Sequence, residues 1–201
     1  MSNFAFLADE FPEIFALARE AERQGLGSPG AAAIYARKTL ETAIKWVFKH
    51  DSALRFPYET GLSALIHEAS FKAAAGEAIY AKARLIVRSG NQAAHEARET
   101  TKADAAQAVT DLFHICFWLA STYARRARPA ADLVFDAQEL SRRDEVLKRS
   151  FAQLQQLSAE LETKDQSVAE LGRLNAEQDA KIKALQAEIA AAKRENLAAP
   201  I

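Results

Sequence analysis

Between Phe11 and Arg23 the apolar positions Phe11, Ile14, Phe15, Leu17 and Ala18 return every three or four residues, and Glu10 and Glu13 stand near the start, where the helix dipole favours negative charge. The pattern predicts an amphipathic helix that ends in Gly25-Leu26-Gly27-Ser28-Pro29-Gly30, a segment dense enough in glycine and proline to turn the chain. A second helix is predicted from about Ala31 to His50, with Ala33, Ile34, Leu40, Ile44, Val47 and Phe48 on its buried stripe. Asp51 to Tyr58, with Pro57 in it, forms a connector, and Leu62, Leu65 and Ile66 begin a short helix capped by Thr60. A longer helix is expected from about Phe71 to Val87, broken by Ser89-Gly90-Asn91, because these three residue types favour caps and turns over helix interiors. From Lys102 to Arg126 apolar residues surround most of the circumference, as in a helix at the middle of a bundle. Pro129 closes that region and Ala131-Asp132-Leu133-Val134-Phe135-Asp136 forms an extended connector. No strand-like alternation of convincing length interrupts this series, so the fold class expected is all-α.

Beyond Leu140 the period changes and the composition shifts to Gln, Glu, Lys, Ala and Leu. A heptad register places Leu147, Leu154, Leu161, Val168, Asn175, Ile182 and Ile189 at a, and Ser150, Leu157, Lys164, Leu171, Gln178, Leu185 and Ala192 at d. Branched residues at a with Leu at d, and one Asn at a, favour a two-stranded parallel coil of on the order of 65 Å. A homodimer through this coil is expected; a single solvated helix and a hairpin folded back on the bundle are the alternatives, since Lys164, Gln178 and Gly172 weaken the seam.

Composition narrows the picture further. With 49% hydrophobic residues in 201, the chain can bury an ordinary core. No run approaches the ~20 apolar residues of a membrane span, and Met1-Ser2-Asn3-Phe4 lacks the features of a signal peptide, so a cytoplasmic protein with no membrane partner is expected. Cys116, the single cysteine, lies in an apolar run and is expected to be a buried structural thiol. Residues 1 to 130 hold 16 Lys/Arg against 14 Asp/Glu and residues 131 to 201 hold 10 against 13, so neither half has the basic excess of a dedicated duplex binder.

Candidate chemistry concentrates in Arg88-Ser89-Gly90-Asn91-Gln92-Ala93-Ala94-His95. Arg88 offers a permanent bidentate clamp for a phosphate and His95 a proton exchanged near neutral pH, the pair that metal-free RNA cleavage through a 2′-hydroxyl needs. If Asn91 starts a new helix, Asn91 and His95 share a face and the amides there could receive an anion; the structural reading is a capping turn with His95 held by a hydrogen bond. Basic and aromatic residues also interleave in Tyr35-Ala36-Arg37-Lys38 and Lys45-Trp46-Val47-Phe48-Lys49-His50, a face for phosphate contacts and stacking. The competing reading makes Trp46 and Phe48 core, with the lysine stems covering its edge, and makes Arg125-Arg126-Ala127-Arg128 a solvated helix end. His50, His67 and His114 are not spaced with carboxylates as a metal box, and the chain has neither a P-loop nor a GxSxG motif, so no metal or cofactor is expected.

Five segments carry a resemblance: Ser2-Asn3-Phe4-Ala5-Phe6-Leu7, Tyr35-Ala36-Arg37-Lys38-Thr39-Leu40-Glu41, Leu62-Ser63-Ala64-Leu65-Ile66-His67-Glu68, Gly90-Asn91-Gln92-Ala93-Ala94-His95 and Ala131-Asp132-Leu133-Val134-Phe135. Together they resemble the helical domain of unknown function at the front of type I restriction-enzyme R subunits, over about residues 1 to 136. In those subunits a coiled-coil spacer, similar to residues 141 to 197, precedes a PD-(D/E)XK nuclease and a superfamily 2 helicase motor. Neither follows before Ile201, so a fragment, a truncated gene or a stand-alone relative is expected. The same domain is similar to the HEPN group, whose active members are dimeric RNases using an Arg followed a few residues later by a His; only Arg88 and His95, with six residues between, fit. Ser89 stands where active members often carry Asn, Asp or His, which points away from catalysis.

The resemblance implies a HEPN-like helical bundle over residues 1 to 136 followed by a coiled-coil helix over residues 137 to 201. The function it implies is a non-catalytic assembly module of a type I DNA restriction system, binding restriction-modification subunits or nucleic acid; the candidate contacts are Arg88, Asn91 and His95 and, from the basic and aromatic face, Arg37, Lys38 and Lys45. The alternative is a metal-independent ribonuclease in which Arg88 and His95 are catalytic. A purely structural oligomerisation element is the third reading.

Overall fold

The computed structural model describes residues 2–95 and 99–198, apart from the side chains of residues 95, 143–144, 146–148, 151, 187 and 189–198. Every regular element among them is helical: a 3-10 turn, Ala5–Leu7, and six helices, α1 (Pro12–Gln24), α2 (Pro29–His50), α3 (Leu62–His67), α4 (Ala69–His95), α5 (Lys102–Tyr123) and α6 (Ala137–Ala198). The all-α expectation holds. Two compact units divide the chain, residues 1–148 and 149–201.

In the first unit α2 lies against α1, α4 and α5, which is why it needs apolar residues on several sides. Ala32, Ala33, Ala36 and Ala43 allow close approach and Leu40, Ile44, Val47 and Phe48 fill the volume between helices. Ile34, expected in that stripe, is 42% exposed. Helix α5 supplies Val109, Leu112, Phe113, Ile115, Cys116 and Leu119 to the same core, and burial pushes the Cys116 thiol up, away from ionisation. Trp46 is wedged edge-on against Phe11 and Tyr123, with His50 stacked on it at 4.2 Å, so it packs as core.

Helix ends follow from named caps. At α5, Thr101 accepts from the Asp104 amide (3.1 Å) while Asp104 accepts from the Thr101 amide (3.1 Å), a capping box. The same helix stops at Tyr123 rather than running to Arg126, because the backbone N–H groups of Arg125, Arg126 and Ala127 donate to the Glu10 carboxylate at 2.7 to 2.9 Å. Gly61, not Thr60, takes the N-cap position of α3. Glu68 receives hydrogen bonds from Ser70 and from the Phe71 amide, and so caps the start of α4.

The largest correction concerns Ser89-Gly90-Asn91. Helix α4 runs through them without a break; it is kinked instead at Gly76, whose φ 74° and ψ 165° divide it into two helical segments. Gly90 serves packing instead. A Cβ there would stand 2.5 Å from Arg37 Cβ and 2.8 Å from Arg37 Cδ, so only glycine lets α4 cross α2 at this point. No helix begins at Asn91, and the anion site expected on free amides there does not exist.

The N-terminal segment is tied down from two sides. Glu22, fully buried, accepts from Ser2 Oγ (2.6 Å), the Asn3 amide (2.8 Å) and Asn3 Nδ2 (2.9 Å). Asn3 in turn accepts from the Asp136 amide at 2.7 Å and donates to its carbonyl at 3.2 Å. Asp136 Oδ1 then caps the first turn of α6 through the Gln138 amide (2.9 Å), and Leu140 is buried in the core. Phe6 and Phe135 both pack on Phe113, so the connector 131–136 is anchored by its aromatic residue.

The second unit is helical to Ala198, and its described apolar side chains are exposed: Leu154 62%, Leu161 64%, Val168 67%, Leu171 60% and Leu185 57%.

Candidate functional site

The polar surface of α4 is organised by its 3.6-residue period. Tyr80, Arg84, Arg88 and Asn91 follow one another at intervals of three or four, so their side chains line one face. Arg84 stands 5.6 Å from the centre of the Tyr80 ring and Lys72 Nζ stands 4.7 Å from it. The His67 ring meets Tyr80 edge-on at 5.7 Å, and its Nδ1, 2.8 Å from the Ser63 carbonyl, must donate there, which leaves Nε2 outward. Between α3 and α4 a groove of about 620 Å³ is lined by His67, Arg84, Arg88 and Asn91 over an apolar floor that includes Ile66 and Val87. Among the described residues no carboxylate forms an ion pair with Lys72, Arg84 or Arg88.

Arg88 also borders a second cleft, of about 240 Å³, between α4 and α5, with Ser89, Gln92, Gln107 and Asp111. Asp111 is 1% exposed; its Oδ1 pairs with Lys82 Nζ at 2.9 Å, and Oδ2 has no hydrogen-bond partner among the described residues. His114, one turn from Asp111, is pushed below the ordinary histidine range, first by burial and then by the Lys82 charge, so it is neutral near pH 7.

The six residues singled out from the sequence do not form one site. Arg88 and Asn91 share the α3/α4 groove. His95 closes α4 two turns beyond Arg88, and its side chain lies outside the described residues. Arg37 is half-buried beneath Gly90 with its Nε enclosed and without a hydrogen-bond partner among the described residues, so it belongs to the packing of α2 on α4. Lys38 is exposed, and Lys45 is held by Glu41 at 2.6 Å on the same helix. Sequence reasoning misses Lys72, Arg84 and His67. The signal for Arg84 is its four-residue spacing from Arg88, obscured by the expected break.

A third cleft, of about 930 Å³, is lined by Glu10, Trp46, His50, Tyr123, Arg125, Arg126 and Arg128. Here the backbone amides that would suit an anion are occupied by Glu10, whose pKa they hold below the usual carboxylate value. Among the described residues no group of three or more His, Cys, Asp or Glu converges, and no helix is long and apolar enough to cross a membrane. The arrangement on α4 and α3 therefore offers an anion two fixed cations, an amide and the His67 imidazole.

Comparison with curated proteins yields no match, and comparison with solved structures yields none. A family profile does match, over residues 19–170, which takes in the helices that carry both Arg88 clefts and the first part of the heptad region. By that match the chain belongs to the family described as Domain of unknown function (DUF4145).

Proposed function

We propose that this protein is a non-catalytic interaction module that holds nucleic-acid phosphates on the α4 face and pairs through its C-terminal helix. The observation that carries the reading is the convergence of Arg84 and Arg88, without carboxylate partners among the described residues, on the groove they share with Asn91 and His67. Tyr80 is only 8% exposed, so it orients Lys72 and Arg84 from below and does not stack on bases. Binding of this kind is electrostatic and tolerant of sequence. The resemblance to the front of type I restriction R subunits supports a place in a DNA restriction assembly, with a HEPN-like bundle as the docking part.

The test is a salt titration of binding to labelled duplex DNA and single-stranded RNA. Wild type should bind without cleavage, with log K falling at a slope of about −2 to −3 against log salt. The double variant Arg84→Glu/Arg88→Glu should lose most affinity while keeping its melting temperature. Equal binding by the variant would remove α4 from the interface, and binding only to restriction subunits would make the face a protein contact.

A second reading, a metal-independent ribonuclease, is favoured by one observation: the unbroken helix runs through both Arg88 and His95, so their positions share a side of α4. RNA cleavage in EDTA that vanishes in His95→Ala would establish it.

A further inference from the structure

The C-terminal helix exposes an apolar stripe interrupted by polar residues, and the placing of those residues sets how two copies can meet. We infer that the helix pairs with a second copy of itself in antiparallel orientation, centred between Val168 and Leu171. This rests on the proposal that the helix mediates pairing, and concerns its geometry.

Leu154, Leu161, Val168 and Ile182 at a, with Leu157, Leu171 and Leu185 at d, are all more than half exposed, an area that one isolated helix leaves in water. Between Leu154 and Leu185 three polar residues fall in the same seam: Lys164 and Gln178 at d and Asn175 at a.

In a parallel pair in register, each a faces a and each d faces d. Lys164 would then meet the partner's Lys164 inside the seam, two ammonium groups whose nearest carboxylates, Glu160 and Asp165, stand at the seam edges. At the seam edges, Glu160 at g would face the partner's Asp165 at e, and the same like-charged pair would recur on the opposite edge.

An antiparallel pair sets a against d. With Val168 opposite the partner's Leu171, Leu154 meets the partner's Leu185 and Ile182 meets the partner's Leu157, so large apolar side chains cover each other. The same alignment brings Asn175 opposite the partner's Lys164, where the amide oxygen accepts from the ammonium, and between Leu154 and Leu185 leaves only Gln178 against an apolar residue, the partner's Leu161. Edge positions agree: Glu160 at g lies beside the partner's Lys181 at g, twice by symmetry, and Ser158 and Asp165 at e face the partner's Asp179 and Gly172. A shift of one heptad in one direction sets Asn175 against the partner's Leu171 and Val168 against the partner's Gln178. A shift the other way sets Asn175 against the partner's Leu157 and Val168 against the partner's Lys164. Among the three antiparallel alignments, the one with no like-charged edge pair is thus also the one that sets Asn175 against Lys164.

Branched a positions with Leu at d lean toward a parallel pair, through the fit of knobs into holes. That preference opposes the charges here, and the two orientations answer one substitution with opposite sign. In the antiparallel pair Glu160→Lys sets a second ammonium beside the partner's Lys181 at both edges and should raise the dimer dissociation constant about fivefold. Adding Lys181→Glu should restore it. In a parallel pair Glu160→Lys would face Asp165 and tighten the dimer.

Oxidation of the full chain gives an independent readout, since native Cys116 is fully buried. A mixture of Leu154→Cys and Leu185→Cys chains should form the mixed disulfide, and Leu154→Cys alone should not. Self-linking of Leu154→Cys, or a tighter dimer in Glu160→Lys, overturns the antiparallel assignment while the dimer stands. A monomer by light scattering removes the dimer itself.

Discussion

Gly90 sits where α4 comes closest to α2, and the two side-chain carbons of Arg37 occupy the space a methyl group would need. Gly90→Ala should therefore push the helices apart and destabilise the bundle by about 1–3 kcal/mol, measured as a shift in the urea midpoint at unchanged slope. Gly76→Ala meets open space but keeps φ at 74° with ψ at 165°, a region open essentially to glycine, so its cost of about 1–3 kcal/mol comes from backbone strain alone. The pair shows why the sequence misleads at Gly90: a glycine that ends a helix and a glycine that admits a neighbouring helix look alike until the neighbour is known. Arg37 misleads for the same reason, since a long cation beside a tyrosine looks like a surface residue when the helix that covers it is expected to stop. Arg88 is legible because Arg bears its charge in any setting; its companions Arg84 and His67 depend on tertiary placement.

At the scale of elements, the helices whose apolar stripes face one neighbour are legible almost to the residue: α1 is expected from Phe11 to Arg23 and spans Pro12–Gln24. Where an end is decided by a distant side chain, the boundary moves. Helix α5 ends early because Glu10, more than a hundred positions away in sequence, takes three amides just past Tyr123. Those bonds, led by the one from Arg125, favour the charged carboxylate and lower its pKa from 4.5. A depressed carboxylate pKa adds stability that is present above the unfolded value and is lost as pH falls through the folded one. Glu10→Gln should accordingly melt below wild type at pH 7, and the gap should narrow as the pH is taken below 4.5, followed by circular dichroism.

The whole molecule is divided in its energetics. The hydrophobic core draws on residues up to Leu140, and the described apolar side chains of the second unit remain exposed. Ending the chain after Lys148 should leave the melting temperature of the bundle within a few degrees of wild type and abolish self-association, checked by calorimetry and light scattering. The long helix α6 is readable from sequence because its composition is that of a helix former and no proline or glycine but Gly172 interrupts it. The connection between start and finish of the bundle is invisible to periodicity, since it consists of one asparagine bound to the backbone of Asp136 and to buried Glu22. That clasp has a mechanical meaning. Tension on α6 reaches the bundle at buried Leu140 and then at residue 136, where the Asn3 side-chain amide bridges it to α1 through Glu22. Part of the load thus falls on the stretch of chain furthest from the coil in sequence, and Asn3→Ala should lower the force at which the bundle gives way in an optical trap.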